Sequence, residues 1–549
     1  MRATKMNKTI SKMLVLVPIL ALLLTATAYG AAPGIQGVTF SLTAQDAYLT
    51  QPDGQAIYSW GYGCSASFTP TFAPATITTG FCHTMQVPGP TLIVTEGQPI
   101  TVTLTNNLPP SAGNTSILFP GIQLQPFADG TPGLLTQEAA HGQTVTYTFT
   151  APGPGTRAYY SGTQGDLQVE MGLYGAIIVL PSTTNANFPG NCVLNASTPP
   201  RGLPFAGANG VAETNWGESD FRLASAAYDH PKTCYDREYL FQFSEMDYNI
   251  HAQALAQVKA ISSCVPPTDP ALPPCPTTLN VPTEPYHPAY FMINGRSMPD
   301  DMDSNYATQY PHQPYNGNPH MHPGEQVLLR IIGQGRWQHP FHEHGNHVRI
   351  LGRDGNLIVS ATDPNSLAGP LLFTTTTTPG MAMDGIFYWT AKGLNWDAYG
   401  HNPASPHPNT STVTAPCTPD ANGYNTGAPT AINYYEWCQD HNKPLQVAPF
   451  GDVAGGGPTT LPDPNIFTNG AWYGGSPYLG PDATIRAVGS TGTTPPSGTI
   501  ANSPTGEAGF AFMWHSHNER EITTSNVFPG GMLMMMLVDS REFVIDESN

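Results

Sequence analysis

Gln143-Thr-Val-Thr-Tyr-Thr-Phe149 sets an apolar residue against a threonine at each step. Successive side chains on a β-strand point to opposite faces, so the stretch reads as a strand with one face for a core and one for water. Thr101-Val-Thr-Leu-Thr105 repeats the pattern, while Glu238-Tyr-Leu-Phe-Gln-Phe243 and Gln326-Val-Leu-Leu-Arg-Ile-Ile332 each open a new set of strands and turns. Gly 55 and Pro 56, about a fifth of the 549 residues, favour turns and short strands over long helices. The expectation is an all-β chain of two β-sandwich domains, because this length exceeds one ordinary core.

Lys+Arg 20 against Asp+Glu 39 gives a net charge of −19, with 40% hydrophobic residues to build cores. An acidic, lysine-poor surface offers no footprint for phosphates, which argues against a nucleic-acid partner and against anionic membranes. Arg2, Lys5, Lys8 and Lys12 precede an apolar run from Met13 to Leu24 and the small residues around Ala28-Tyr-Gly-Ala-Ala32. That is the form of a signal peptide over residues 1–30. The run is shorter than the roughly 20 residues that span a bilayer, so no transmembrane segment is expected after its removal. The eight cysteines fall into sequence-local pairs, Cys64 with Cys82, Cys192 with Cys234, Cys264 with Cys275 and Cys417 with Cys438. Four disulfides are expected from that grouping, although eight cysteines allow about a hundred connectivities. The chain is therefore read as exported to a periplasmic, cell-surface or extracellular setting.

The strand patterns place a first domain at 34–182, a connecting segment at 183–234, and a second domain at 235–400 plus 506–541. Between the two parts of the second domain, residues 401–505 are rich in Pro, Gly, Thr and Asn. They read as a long insertion of mostly irregular structure, and loops of such length are more often functional or covering than accidental.

The chemistry concentrates in His339-Pro-Phe-His342-Glu-His344-Gly345-Asn-His347 and in Trp514-His515-Ser516-His517. Residues two apart on a strand share a face, so each H-x-H pair presents two imidazoles to one side. Neutral imidazole suits copper, zinc, iron or nickel, which makes His342, His344, His515 and His517 metal candidates, with His339 beside them. The competing reading is a packed set of imidazoles bonded to one another and to carbonyls. His320 and His322 form a further H-x-H in a Pro-rich turn and are a secondary candidate. His251, His287 and His312 read as structural or exposed, and His347 is one step off the alternation. The run Met532-Leu-Met-Met-Met536 could relay copper but reads better as core filler. Asn518-Glu519-Arg520-Glu521 reads either as groups orienting His515 and His517 or as a solvated turn. A hydrolase is disfavoured, since no G-x-S-x-G elbow accompanies the histidines.

These motifs resemble those of the multicopper oxidases. His339-Pro-Phe-His342-Glu-His344-Gly345 is similar to the family's third copper-ligand motif, and Trp514-His515-Ser516-His517 with Gly531-Met532 to the fourth. Val87-Pro-Gly-Pro-Thr91, Glu96-Gly97, Thr105-Asn-Asn-Leu108, Asp129-Gly130, Gln137 and Gly172-Leu-Tyr-Gly175 resemble landmarks of its first cupredoxin domain, and Tyr290-Phe-Met-Ile-Asn-Gly295 the matching stretch of a later one. The resemblance implies two cupredoxin-like Greek-key sandwiches in a layout close to the two-domain members. Those members commonly form trimers, which implies a homo-oligomer. In that assembly one subunit's first domain meets another's histidines, and the Tyr160 phenol becomes a candidate fifth ligand.

The departures from the family pattern decide the functional expectation. Leu118-Phe-Pro120-Gly121 and Tyr160-Ser-Gly162 stand where the resemblance places two further H-x-H motifs, so four ligands of the trinuclear copper cluster are missing. Ser516 stands in the place of the type 1 thiolate and Glu521 in that of a type 1 histidine, leaving only His339 of that set. A hydroxyl cannot supply the short copper–sulfur bond of a blue site. The expectation is a protein binding copper, or zinc, at a mononuclear or incomplete site, with neither blue colour nor ordinary laccase turnover. The alternatives are a copper-dependent oxidoreductase of non-standard type and a metal-free cupredoxin scaffold for surface assembly.

Overall fold

Val145, Tyr147 and Phe149 are buried along the Thr144–Thr150 strand, and the threonines between them lie nearer the surface, as the alternation requires. A computed structural model describes residues 32–74, 81–189, 222–269, 271–392, 417–427, 436–439, 475–478 and 509–539, together with Ile545. The expected signal segment 1–30 and most of the 401–505 insertion lie outside these residues.

The Thr144–Thr150 strand is the edge of a four-stranded sheet ordered Ala56–Cys64, Thr39–Thr50, Pro99–Asn106, Thr144–Thr150. A five-stranded sheet, ordered Gly155–Tyr160, Tyr174–Leu180, Leu92–Thr95, Gly34–Gln36, Phe72–Ala73, packs against it. Phe40, Leu42, Val102 and Tyr147 from the first meet Leu92, Val94, Ile177 and Val179 from the second in one core.

The second sandwich sets a sheet ordered Tyr290–Ile293, Arg237–Met246, Gln326–Gly333, Ala382–Tyr388, Val348–Arg353, Asn356–Leu357 against one ordered His320–Met321, Leu533–Asp539, Gly509–Ser516, His339–Glu343, Thr374–Thr377. Phe241, Phe243, Phe341, Phe387 and Trp514 fill the space between them with Met532, Met534 and Met536, so the methionine run is core material. Within the 401–505 stretch, Gly475–Tyr478 adds a strand beside Gly509–Ser516, a regular element in a segment expected to be mostly irregular.

Two kinds of contact join the sandwiches. Ala158, Ala176 and Ile178 of the first pack with Leu240, Ile332 and Ala382 of the second. Beside them Asp384 accepts from the Thr156 amide at 3.0 Å, the Thr156 hydroxyl at 2.6 Å and the Tyr228 hydroxyl at 2.6 Å. Arg330, bonded to Glu238 at 2.8 Å, stands 3.6 Å from the same carboxylate. Buried charges hold only when paired and hydrogen-bonded, and each of these is.

The sequence reading did not anticipate the Tyr248–Ser262 helix. Asp247 caps it by accepting from the Asn249 amide, alanines carry its middle, and Ile250 and Ala254 seat it on the first core. Bridges join Cys64 to Cys82, Cys264 to Cys275 and Cys417 to Cys438. Cys234 is also bridged, and its expected partner Cys192 lies outside the described residues. Among the described residues no helix is long and apolar enough to cross a membrane.

Candidate metal centre

Phe341 and Trp514 turn into the second core, which sends their strand neighbours to the opposite face. The His339–Glu343 and Gly509–Ser516 strands run antiparallel with His342 directly opposite His515. Gly345 then turns the chain at φ +99°, where a Cβ would meet the Phe512 ring at 3.1 Å. The Trp514 indole N–H donates to the His344 carbonyl at 2.9 Å and anchors the turn to the core.

Four imidazoles gather on this face. Ring centroids lie 4.8 Å apart for His342 and His344, 4.8 Å for His342 and His517, 5.1 Å for His344 and His515, and 5.5 Å for His342 and His515. His342 and His515 are buried, His344 is half-buried, and the His517 side chain is 52% exposed, so the cluster opens to solvent on one side.

Their hydrogen bonds fix protonation. His515 Nδ1 lies 2.7 Å from the Ser516 carbonyl. A carbonyl only accepts, so the proton sits on Nδ1 and Nε2 of the neutral ring carries the lone pair. His344 Nε2 is 3.3 Å from that nitrogen and therefore donates to it. His342 Nδ1 is held by the Thr374 hydroxyl at 2.7 Å. Burial, then the neighbouring His344, His515 and His517, push His342 down to about 4, and burial lowers His515 too. At neutral pH these two rings are in the uncharged form that binds metals.

The His344 and His515 Nε2 atoms are spaced as two donors of one ion. A tetrahedral centre with metal–nitrogen bonds of about 2.0 Å has nitrogens about 3.3 Å apart. Among the described residues no three His, Cys, Asp or Glu donors converge closely enough to hold an ion as they stand. The structure therefore presents one nitrogen pair with two further imidazoles adjoining it.

His339 is not gathered into this cluster. Its Nδ1 donates to Glu521 Oε2 at 2.9 Å and its Nε2 to Glu245 Oε2 at 2.9 Å. Burial disfavours a charged ring, but the hydrogen bonds to Glu245 and Glu521 outweigh it and raise His339 to about 9. The ring is an imidazolium with both nitrogens engaged, and the Ser516 hydroxyl donates to the same Glu521 oxygen at 2.5 Å. Glu343 turns into the core, where burial pushes its carboxyl up to about 8 and Oε2 has no partner among the described residues.

The other flagged residues serve elsewhere. His320 bonds the Asp539 carboxylate and His322 the Asp539 carbonyl, tying their turn to the last strand. His251 is buried between the Tyr58 and Glu170 carbonyls. Leu118, Tyr160 and Gly162 line a cavity of about 270 Å³ between the sandwiches, together with Gly335 and Gly380. Thr374 and Glu245 were not flagged by the sequence reading, although a glutamate inside the apolar Arg237–Met246 strand was a readable signal for Glu245.

Comparison with known proteins adds a family likeness over part of the chain. Residues 71–184 match the family model described as multicopper oxidase. Multicopper oxidase MCE of Talaromyces pinophilus is 34% identical over 114 residues, covering 20% of this chain and 18% of that protein. L-ascorbate oxidase of Brassica rapa subsp. pekinensis is 40% identical over 96 residues, covering 17% of this chain and 16% of that protein. The chain thus spans less than a fifth of either relative. Among solved structures, Blue Copper Oxidase from Nitrosomonas europaea aligns with a TM-score of 0.42 at 14% identity, covering 91% of this chain and 85% of that one. The matched residues 71–184 include none of the four clustered imidazoles.

Proposed function

We propose that this protein is an exported member of the multicopper oxidase family, which its residues 71–184 match, and that it binds one copper ion, or another divalent metal such as zinc. His342, His344, His515 and His517 hold the ion. The observation that carries the reading is the paired Nε2 atoms of His344 and His515, 3.3 Å apart and protonated as one donor facing one acceptor. A metal takes the place of that shared proton, and the adjoining His342 and His517 rings complete the donor set. Bound copper supplies a redox centre, and bound zinc a Lewis acid.

Conventional laccase turnover is excluded from the proposal. Ser516 stands in the thiolate position and bonds Glu521, and His339 spends both nitrogens on carboxylates. The first-domain ligand positions are Leu118, Pro120, Tyr160 and Gly162, none of them an imidazole. Export is supported by the three described disulfides and by the absence of a free cysteine among the described residues. Self-association, a trimer by family analogy, is supported by the exposure of His517 and of Phe373, whose ring lies 5.7 Å from His342.

Equilibrium dialysis against Cu(II) and Zn(II), comparing the wild-type chain with His344→Ala/His515→Ala, tests the reading. The expected result is tight uptake by the wild type and a loss beyond the roughly 10–100-fold that follows removal of an outer hydrogen-bonding group. The copper-loaded protein shows no intense copper–thiolate absorption. Equal uptake by both proteins overturns the assignment.

A further inference from the structure

Ser516 lies between His515 and His517 in sequence and faces the other way, into the protein. Whatever fixes the Ser516 side chain therefore fixes the rotation of the backbone that aims both imidazoles. Its hydroxyl donates to Glu521 Oε2 at 2.5 Å and accepts from the Asn518 amide at 3.2 Å. The other Glu521 oxygen accepts from the Asn518 side chain at 2.9 Å, so one carboxylate grips the turn after His517 from two sides.

Behind Glu521 the contacts continue across the sandwich. Glu521 Oε2 also accepts from His339, and His339 donates in turn to Glu245 on the Arg237–Met246 strand of the opposite sheet. The second Glu245 oxygen accepts from the Arg336 and Trp337 amides and, at 3.2 Å, from the Tyr286 hydroxyl. Tyr286 bonds Glu170 of the first sandwich at 2.7 Å. Space is tight at Glu245: a Cβ on Gly335 would come within 2.5 Å of its Oε2. Ser516, Glu521, His339, Glu245 and Glu170 are all buried.

We infer that Glu521, backed by His339 and Glu245, is the positioning residue for the His515 and His517 imidazoles, an assignment that rests on the metal-binding reading above. It acts through Ser516 and touches no metal itself. A carboxyl group held at once by the Ser516 hydroxyl, the Asn518 side chain and the His339 ring makes a stiffer anchor than one with a single hydrogen bond. The chain of bonds behind it carries the anchor to the opposite sheet and to the first domain.

The test compares Cu(II) affinity by equilibrium dialysis, the electron paramagnetic resonance spectrum of the copper-loaded chain and the melting temperature of the metal-free chain. The proteins are wild type, Glu521→Ala, Glu521→Gln and Asp384→Asn, the last a destabilised variant at the domain boundary. Glu521→Ala is expected to weaken Cu(II) binding roughly 10–100-fold and to alter the copper spectrum. Glu521→Gln, which still accepts one hydrogen bond, recovers part of both and serves as the readout if the alanine variant does not fold. Asp384→Asn lowers the melting temperature but keeps wild-type affinity and spectrum. Unchanged affinity and spectrum in both Glu521 variants overturn the inference while leaving the metal site standing, as does an equal loss of affinity in Asp384→Asn. Failure of the wild type to bind Cu(II) overturns the metal reading and this inference with it.

Discussion

Replacing His339 with alanine is expected to lower the unfolding free energy by about 3–5 kcal/mol at pH 7, because it leaves the buried carboxylates of Glu245 and Glu521 without their shared cation. The same group sets an alkaline limit. Its folded value, about 9, lies above the ordinary histidine value of 6.5, so between those pH values the native state holds a proton that the unfolded chain releases. The stabilisation is fully present below about pH 6.5 and is lost as pH rises through 9, a change of about 3 kcal/mol. Denaturant midpoints of the wild type between pH 6 and 10 should fall accordingly, and those of His339→Ala should start lower and lack this limb. An alanine variant with the wild-type midpoint and the wild-type alkaline loss would remove the imidazolium from the account. On the acid side the sign reverses for His342: its folded value is depressed to about 4, so its contribution is lost as pH falls from 6.5 through 4.

Asp384→Ala is the second large effect, also about 3–5 kcal/mol, because buried Arg330 keeps Glu238 but loses its second carboxylate, 3.6 Å away. The Thr156 amide and hydroxyl and the Tyr228 hydroxyl lose their common acceptor in the same step. Calorimetry should show a melting temperature lowered on the order of 10 °C. Thr156→Val removes only the hydroxyl's hydrogen bonds and should cost about 1 kcal/mol. If the Asp384 variant proved no worse than the Thr156 variant, the boundary would be held by apolar packing of Ala158, Ile178, Leu240 and Ile332 alone.

The strands were legible because their constraint is local. Val145, Tyr147 and Phe149 had to share a face, and an apolar–polar alternation states that in the sequence itself. The H-x-H pairs were legible for the same reason, and the ladder that sets His342 opposite His515 brings them together. The role of His339 was not legible. Its partners Glu245 and Glu521 lie 94 and 182 residues away, and nothing in its motif separates a metal ligand from a buried imidazolium. The Tyr248–Ser262 helix was hidden by the surrounding strand patterns, although Asp247 and the alanines that follow carried its signal. Glu343 shows the limit of reading by motif: its place between His342 and His344 suggests a ligand neighbour, while the pleat turns it into the core as an uncharged acid.

Elemental analysis of the purified protein beside its His342→Ala/His344→Ala/His515→Ala/His517→Ala variant, with electron paramagnetic resonance on any copper found, tests the metal assignment most directly. The account predicts near-stoichiometric metal in the wild type, lost in the variant, with copper giving a type 2 signal and no type 1 signal. Equal and negligible metal in both proteins would contradict it and leave a β-sandwich scaffold whose imidazoles bond only to one another and to neighbouring protein groups.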